Sequence, residues 1–303
     1  MPVNDAHIPA PGGTTVLAGR TVARIGFGAM QLPGPGRPVP PSREQSLAVL
    51  RRAIALGVNH IDTSQYYGLG LANELIREAL SPYSEDLVLV SKVGADDRPS
   101  GQIAPAQRPE QLRDGVERNL AALSVERLDV VNLRILDTRV DGSPAGPDQQ
   151  VALDDQLAEM TALRDEGKIG GIGLSNITAD QLNQALPAGI ACVQNQYSLL
   201  DRSSEPLLQI CRDNAIAWVP FFPLGSAFPG FSKVTEHPSV IAAATAVGAT
   251  PAQVGLAWLL ATYDNTLLIP GTASIDHLEE NIATSQVRLS PEIIQTLNNA
   301  ATT

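Results

Sequence analysis

The chain has 303 residues, 44% of them hydrophobic, enough to bury one large core. Its net charge of -11 opposes nucleic acid and anionic membrane surfaces as partners, since both repel an acidic protein. Two cysteines, Cys192 and Cys211, are too few for a disulfide framework, and no run approaches the roughly 18 apolar residues of a membrane span. Residues 1–13 also lack a basic and apolar signal pattern, so a cytoplasmic protein is expected.

Residues 1–13 are rich in Pro and Gly and are predicted to be flexible. Two β-rich runs, 14–17 and 21–25, flank Ala18-Gly19-Arg20 and read as a hairpin. Ile25-Gly26-Phe27-Gly28 reads as the next strand, its glycines allowing a close backbone approach, expected to be to a cofactor. The proline-rich stretch 33–41 reads as a stiff spacer. Apolar residues then recur at helical spacing over 46–56, and Gly57 reads as the stop.

From there strand and helix signals alternate. Strands are predicted near His60 and over 87–92, 128–133, 170–174, 191–194, 217–221 and 267–269, short and apolar as strands buried on both faces are. Helices are predicted over 73–80, 109–122, 154–166, 179–186, 206–213, 240–247, 251–260, 275–283 and 291–300. Thr178, Thr250 and Ser290 read as N-caps. The alternation predicts an α/β fold, a (β/α)8 barrel with an N-terminal hairpin, as one domain over 1–303. Loops 95–108, 135–149 and 226–238 all follow strands and so share one face, where they read as a pocket rim.

The central stretch is Val58 to Gly68, a short strand followed by a loop carrying Asp62, Tyr66 and Tyr67. An acid leaving the C-terminal end of a barrel strand sits where such folds keep their chemistry. Asp62-Thr63-Ser64-x-x-Tyr67-Gly68 resembles the Asp-Thr-Ala-x-x-Tyr-Gly signature of the aldo-keto reductases. Later motifs follow in the family's order: Ser91-Lys92, Leu128-Asp129, Gly173 to Asn176, Gln194 to Tyr197, Pro223-Leu224-Gly225 and Ile269 to Thr272. The resemblance spans about Arg24 to Asn281 and is greatest to the pyridoxal-reducing branch.

The resemblance implies reduction of a small-molecule carbonyl, pyridoxal or a small aromatic aldehyde, by a nicotinamide cofactor. It assigns Tyr67 as general acid, Lys92 as its activator and Asp62 as the lysine's partner. A nearby ammonium stabilises a phenolate, so a lowered Tyr67 pKa is expected. Tyr66 competes for the acid's role; Tyr67 is preferred because it directly precedes Gly68. Where most relatives carry Leu-Asp-x-x-x-x-His, this chain ends the motif in Arg134. Arginine keeps its proton at accessible pH, so it can donate to an alkoxide or hold an anionic substituent but cannot act as the acid. The alternative is that Arg134 pairs with Asp129 or Asp137 and does no chemistry.

For the cofactor, the resemblance places Ser175, Asn176 and Gln194 on the nicotinamide carboxamide and Phe221 against its ring, with Phe221 and Phe222 as core residues the alternative. Gly28, Ala29 and Met30 and the run Pro223, Leu224, Gly225 line the expected groove. Ile269, Gly271, Thr272 and Ser274 lead into a helix start suited to phosphate, with His277 nearby and Glu280 and Asn281 near adenine. Asp276 and Glu279 add unfavourable charge there. NADPH is expected, with NADH possible. The four histidines, His7, His60, His237 and His277, are scattered without ligand spacing, so no metal is expected. The final helix lies close to the end of the sequence, which suggests an open pocket. A nicotinamide-binding sensor with little turnover, or a lyase using Tyr67 as base, would use the same residues. A monomer and a small homo-oligomer both fit.

Overall fold

The computed structural model describes residues 9–34, 39–97, 103–137, 144–225 and 232–300. Its strands are β1 (Thr14–Leu17), β2 (Arg20–Ala23), β3 (Phe27–Gly28), β4 (His60–Asp62), β5 (Val88–Asp97), β6 (Ile103–Ala106), β7 (Leu128–Arg134), β8 (Ile169–Ser175), β9 (Ile190–Gln194) and β10 (Ala217–Trp218). Its helices are α1 (Arg43–Ala55), α2 (Leu71–Leu80), α3 (Pro109–Leu123), α4 (Leu153–Asp165), α5 (Ala179–Ala185), α6 (Glu205–Asp213), α7 (Pro238–Val247), α8 (Pro251–Thr262), α9 (Ile275–Ala283) and α10 (Pro291–Asn299).

Parallel strands run in the order β10-β9-β8-β7-β5-β4-β3. The gap between β10 and β3 is closed by residues 265–268. Leu267 N–H donates to the Trp218 carbonyl on one side (2.8 Å), and Gly26 N–H donates to the Leu268 carbonyl on the other (2.8 Å). The fold is therefore a (β/α)8 barrel with an N-terminal hairpin.

The β1–β2 hairpin seals the bottom. Leu17 and Val22 pack with Val88, Val90, Val130, Cys192, Ala217, Val219 and Leu267, the apolar side chains inside the barrel. Burying two such hairpin residues contributes roughly 1.5–3 kcal/mol each. The larger core lies between the strands' outer faces and the helices. Thr178, Thr250 and Ser290 cap α5, α8 and α10 as predicted, each accepting the N–H three residues on.

Two readings need correction. Residues 95–97 and 103–106 are strand, not loop: β5 overshoots the rim and pairs antiparallel with β6, from Gly94 opposite Ala106 to Asp97 opposite Ile103. Arg118 on α3 holds Asp96 at 3.0 Å, which supports an arm whose own residues have little strand propensity. The glycines of the first barrel strand also closely approach other protein groups. A Cβ on Gly28 would stand 2.5 Å from the Ile269 carbonyl oxygen, and one on Gly26 would strike the His60 ring. Neither position has room for a side chain where the barrel closes. The prolines do more than space: Pro33 packs so tightly on Gly68 that a Cβ there would lie 2.6 Å away. Residues 1–8, 35–38, 98–102, 138–143, 226–231 and 301–303 lie outside the described residues, so the predicted rim loops and the Pro/Gly-rich start are covered only in part.

His60 points into the barrel and is 1% exposed. Burial pulls its pKa down to about 4. The unfolded chain therefore takes up a proton on His60 before the folded one does. Stability present above pH 6.5 should be lost as the pH falls toward 4, by about 3 kcal/mol in all. Urea melts across that interval should show the slope in the wild type, and His60→Gln should flatten it.

Candidate active site

Asp62 ends β4 and Lys92 lies on β5, adjacent parallel strands whose register sets Asp62 beside Val90, so both side chains reach the C-terminal mouth. Lys92 is 4% and Asp62 2% exposed. The Lys92 ammonium forms an ion pair with one Asp62 oxygen and donates to the Thr63 carbonyl at 3.1 Å. The second Asp62 oxygen accepts from the Gln194 side-chain amide. Both carboxylate oxygens are thus engaged, the condition under which a buried pair holds its charge.

Tyr67 is half-buried, with Lys92 Nζ 5.2 Å from its ring centroid and hydrogen-bonded to its side chain. Tyr66 is buried and meets Tyr67 edge-on at 5.2 Å. Burial raises the Tyr67 pKa, and this outweighs the lowering by the Lys92 charge and hydrogen bond. The expectation of a lowered pKa is corrected: the phenol keeps its proton through the neutral range. Burial pulls the Lys92 pKa down, but Asp62, then Tyr67 and Tyr66, outweigh it, and the ammonium is held above its ordinary value.

Arg134 stands opposite Ser175 in the β7–β8 register and donates to its hydroxyl at 3.3 Å. Its guanidinium lies 5.5 Å from the centre of the Phe221 ring. Neither acid proposed to neutralise it does so. Asp129 pairs with Arg20 at the other end of the strand (3.0 Å), and Asp137 accepts from Gln181 (3.5 Å). Among the described residues Arg134 has no ion pair, and its Nε is buried without a partner. Gly94 makes this placement possible. It adopts φ 90°, and a Cβ there would lie 2.2 Å from the Arg134 carbonyl oxygen.

Ser175 and Gln194 are paired in register on β8 and β9, which joins Lys92, Asp62, Gln194, Ser175, Arg134 and Phe221 into one arc around the mouth. Gln194 Oε1 is buried and unpaired among the described residues, aimed where a donor could enter. Asn176 is exposed, and its amide donates to the Ile135 carbonyl at 2.7 Å. Phe221 and Phe222 are half-buried and outside the apolar clusters, whereas Leu224 packs against the larger core, so the core alternative for Phe221 does not hold. A cleft of about 310 Å³, lined in part by Gln196, Asp201, Phe222, Gly225 and Ser232, extends from this side. Its walls do not include Tyr67.

On the far side, Gly28 pairs with Asp62, Ala29 and Met30 form a short turn, and Gly271 sits against the Gly28 carbonyl. Thr272 Oγ1 accepts from Ser274 N–H (3.0 Å), and Ser274 caps α9 by accepting from His277 N–H (3.4 Å). These hydroxyls therefore satisfy amides that an uncapped helix start would leave to a phosphate. Glu280 accepts from the Thr250 hydroxyl, and His277 is exposed. Arg52 on α1, which the sequence did not single out, neutralises Glu279 at 2.6 Å.

An acid–ammonium pair beside a tyrosine at the C-terminal mouth of a (β/α)8 barrel suits an oxidoreductase that delivers a proton from the phenol. The Aldo/keto reductase family profile matches residues 24–302, and the chain belongs to that family. It is 43% identical to the pyridoxine 4-dehydrogenase of Escherichia coli, over 94% of this chain and 97% of that one. Among solved structures it resembles a thermostable aldo-keto reductase in complex with epalrestat, with 29% identity, TM-score 0.78 and coverage of 95% and 99% of the two chains. A Klebsiella pneumoniae aldo-keto reductase in complex with NADPH gives 28% identity, TM-score 0.75 and coverage of 92% and 91%. No single helix among the described residues is long and apolar enough to cross a membrane.

Proposed function

We propose that this protein is a cytoplasmic, NADPH-dependent aldehyde reductase whose substrate is pyridoxal or a similar aromatic aldehyde bearing an anionic ring oxygen. The observation that carries the reading is Arg134, half-buried on the same mouth as Tyr67 and Lys92 with no carboxylate partner among the described residues. A cation so placed suits a phenolate substituent or a developing alkoxide. The 43% identical relative named pyridoxine 4-dehydrogenase supports the same substrate class. The buried, free thiols of Cys192 and Cys211 agree with a reducing compartment.

The residues fit a nicotinamide. The unpaired Gln194 Oε1 can accept from its carboxamide, and the half-buried Phe221 ring offers an apolar surface. The NADPH complex of the Klebsiella pneumoniae relative supports that cofactor. When bound, it supplies the hydride. The protein's own residues do the rest. Tyr67 delivers its phenolic proton to the carbonyl oxygen, Lys92 stabilises the phenolate left behind, and Asp62 keeps Lys92 charged and in place. Arg134 orients the substrate and stabilises negative charge on its oxygen.

The test is NADPH consumption, followed by nicotinamide absorbance, with a panel of aldehydes, and repeated with NADH. Turnover of pyridoxal with a lower KM for NADPH than for NADH is expected. Tight cofactor binding with no aldehyde consumed would indicate a sensor instead. Arg134→Met should lower kcat/KM for pyridoxal by roughly 10- to 100-fold, the worth of one charge-assisted hydrogen bond, and lower that for benzaldehyde less. Unchanged kcat/KM for pyridoxal would remove Arg134 from the reaction.

A further inference from the structure

Behind the catalytic mouth, on the outer face of the barrel wall, lies a second polar cluster. Thr63 Oγ1 donates to Asn73 Oδ1 at 2.8 Å. The Asn73 amide donates to Gln65 Oε1 (2.8 Å) and to Asn119 Oδ1 (2.9 Å). Ser91 Oγ donates to the same Asn119 oxygen at 2.6 Å, and the Asn119 amide closes on the Gly115 carbonyl at 2.8 Å. Thr63, Asn73, Ser91 and Asn119 are all fully buried. Asn73 uses both amide donors, and Asn119 accepts from Asn73 and Ser91 while donating to Gly115, so the cluster is tightly cross-linked.

Its members sit beside the reactive residues in sequence. Thr63 follows Asp62, Ser91 precedes Lys92, and Gln65 lies two residues before Tyr67. Successive side chains on a strand point to opposite faces. Ser91 facing outward therefore fixes the direction in which Lys92 faces inward, and Thr63 does the same for the end of β4. Asn73 on α2 and Asn119 on α3 tie these two outward hydroxyls together through a single chain of hydrogen bonds. An apolar set would fill the same space without directional bonds and would leave the two strand ends free to slide.

We infer that Asn73, Asn119, Ser91 and Thr63 are positioning residues for the reduction: from outside the barrel they set where the Lys92 ammonium meets Asp62 and Tyr67. The inference rests on the function proposed above. None of these side chains meets substrate, and their effect passes through Lys92.

Thr63→Val and Ser91→Ala each remove one donor with little change in volume, whereas Asn119→Ala removes the hub and strands the buried Asn73 and Ser91 donors. In the two mild variants kcat should fall about tenfold while the Kd for NADPH stays within about twofold. The alkaline limb of alcohol oxidation, which follows loss of the phenol proton, should move up by about one pH unit, because a displaced ammonium stabilises the phenolate less. Ser91→Thr keeps the hydroxyl and should restore kcat. A lowered melting temperature with kcat and pH profile unchanged in folded Thr63→Val and Ser91→Ala would overturn the inference, since a purely structural cluster would do that. If the wild type reduced no aldehyde, the proposed function would fail by itself. The positioning role would then be decided by crystal structures of the variants: Lys92 displaced from Asp62 supports it, and Lys92 unmoved refutes it.

Discussion

Tyr67→Phe should reduce aldehydes roughly 100- to 10,000-fold more slowly than the wild type, the range that a positioned general acid contributes, while binding NADPH as tightly. The ring, and its edge contact with Tyr66, survive the change. Only the hydroxyl that Lys92 bonds is lost. Because burial holds the phenol above its ordinary pKa, the donor stays loaded through the neutral range. Reduction should therefore show no loss of rate between pH 6 and 8 that traces to this group. The Lys92 charge matters as the proton leaves: it opposes burial in the phenolate, so its effect is greatest at the transition state. Steady-state kinetics on the variant, with cofactor affinity from fluorescence quenching, separates loss of the acid from loss of binding.

Lys92→Met should be damaging in two separable ways. Asp62 would be left almost fully buried with one oxygen unpaired, and breaking such a pair costs about 3–5 kcal/mol. The variant should melt well below the wild type. Tyr67 would lose the cation that opposes its burial, and kcat should fall at least as far as in Tyr67→Phe. The double variant Asp62→Asn, Lys92→Met removes both charges together. It should regain a good part of the stability and none of the activity, because the neutral amide no longer needs an ammonium. Chemical denaturation of the wild type and these two variants supplies the comparison. A fully stable Lys92→Met protein would mean that the ion pair is not the buried, mutually dependent pair described here.

Much of this was legible in the sequence because it is local chemistry. Thr178, Thr250 and Ser290 mark helix starts by the short reach from a hydroxyl to an amide three residues on. The motif from Asp62 to Tyr67 and the later Lys92 pointed to three side chains that the register of neighbouring strands gathers at the mouth. What escaped depends on partners distant in the chain. Nothing local to Gly26 and Gly28 reveals that His60 and Ile269 press against them. The arm at 93–97 has weak strand residues and is held by Ala106, Pro105 and Arg118. The Asn73–Asn119 bond joins two helices 46 residues apart and leaves no pattern in either. Arg134 was visible as a departure from the family's histidine, but its freedom from Asp129 is a matter of barrel ends: Asp129 is at the bottom with Arg20, and Arg134 is at the top.

The most direct measurement is a single turnover of bound NADPH by pyridoxal, run in light and heavy water, on the wild type and on Tyr67→Phe. The account predicts that the wild-type chemical step slows in heavy water and that the variant's step is slower by two orders of magnitude or more. A wild-type rate indifferent to the solvent isotope and matched by Tyr67→Phe would contradict it, because the proton would then come from somewhere other than the phenol held by Lys92.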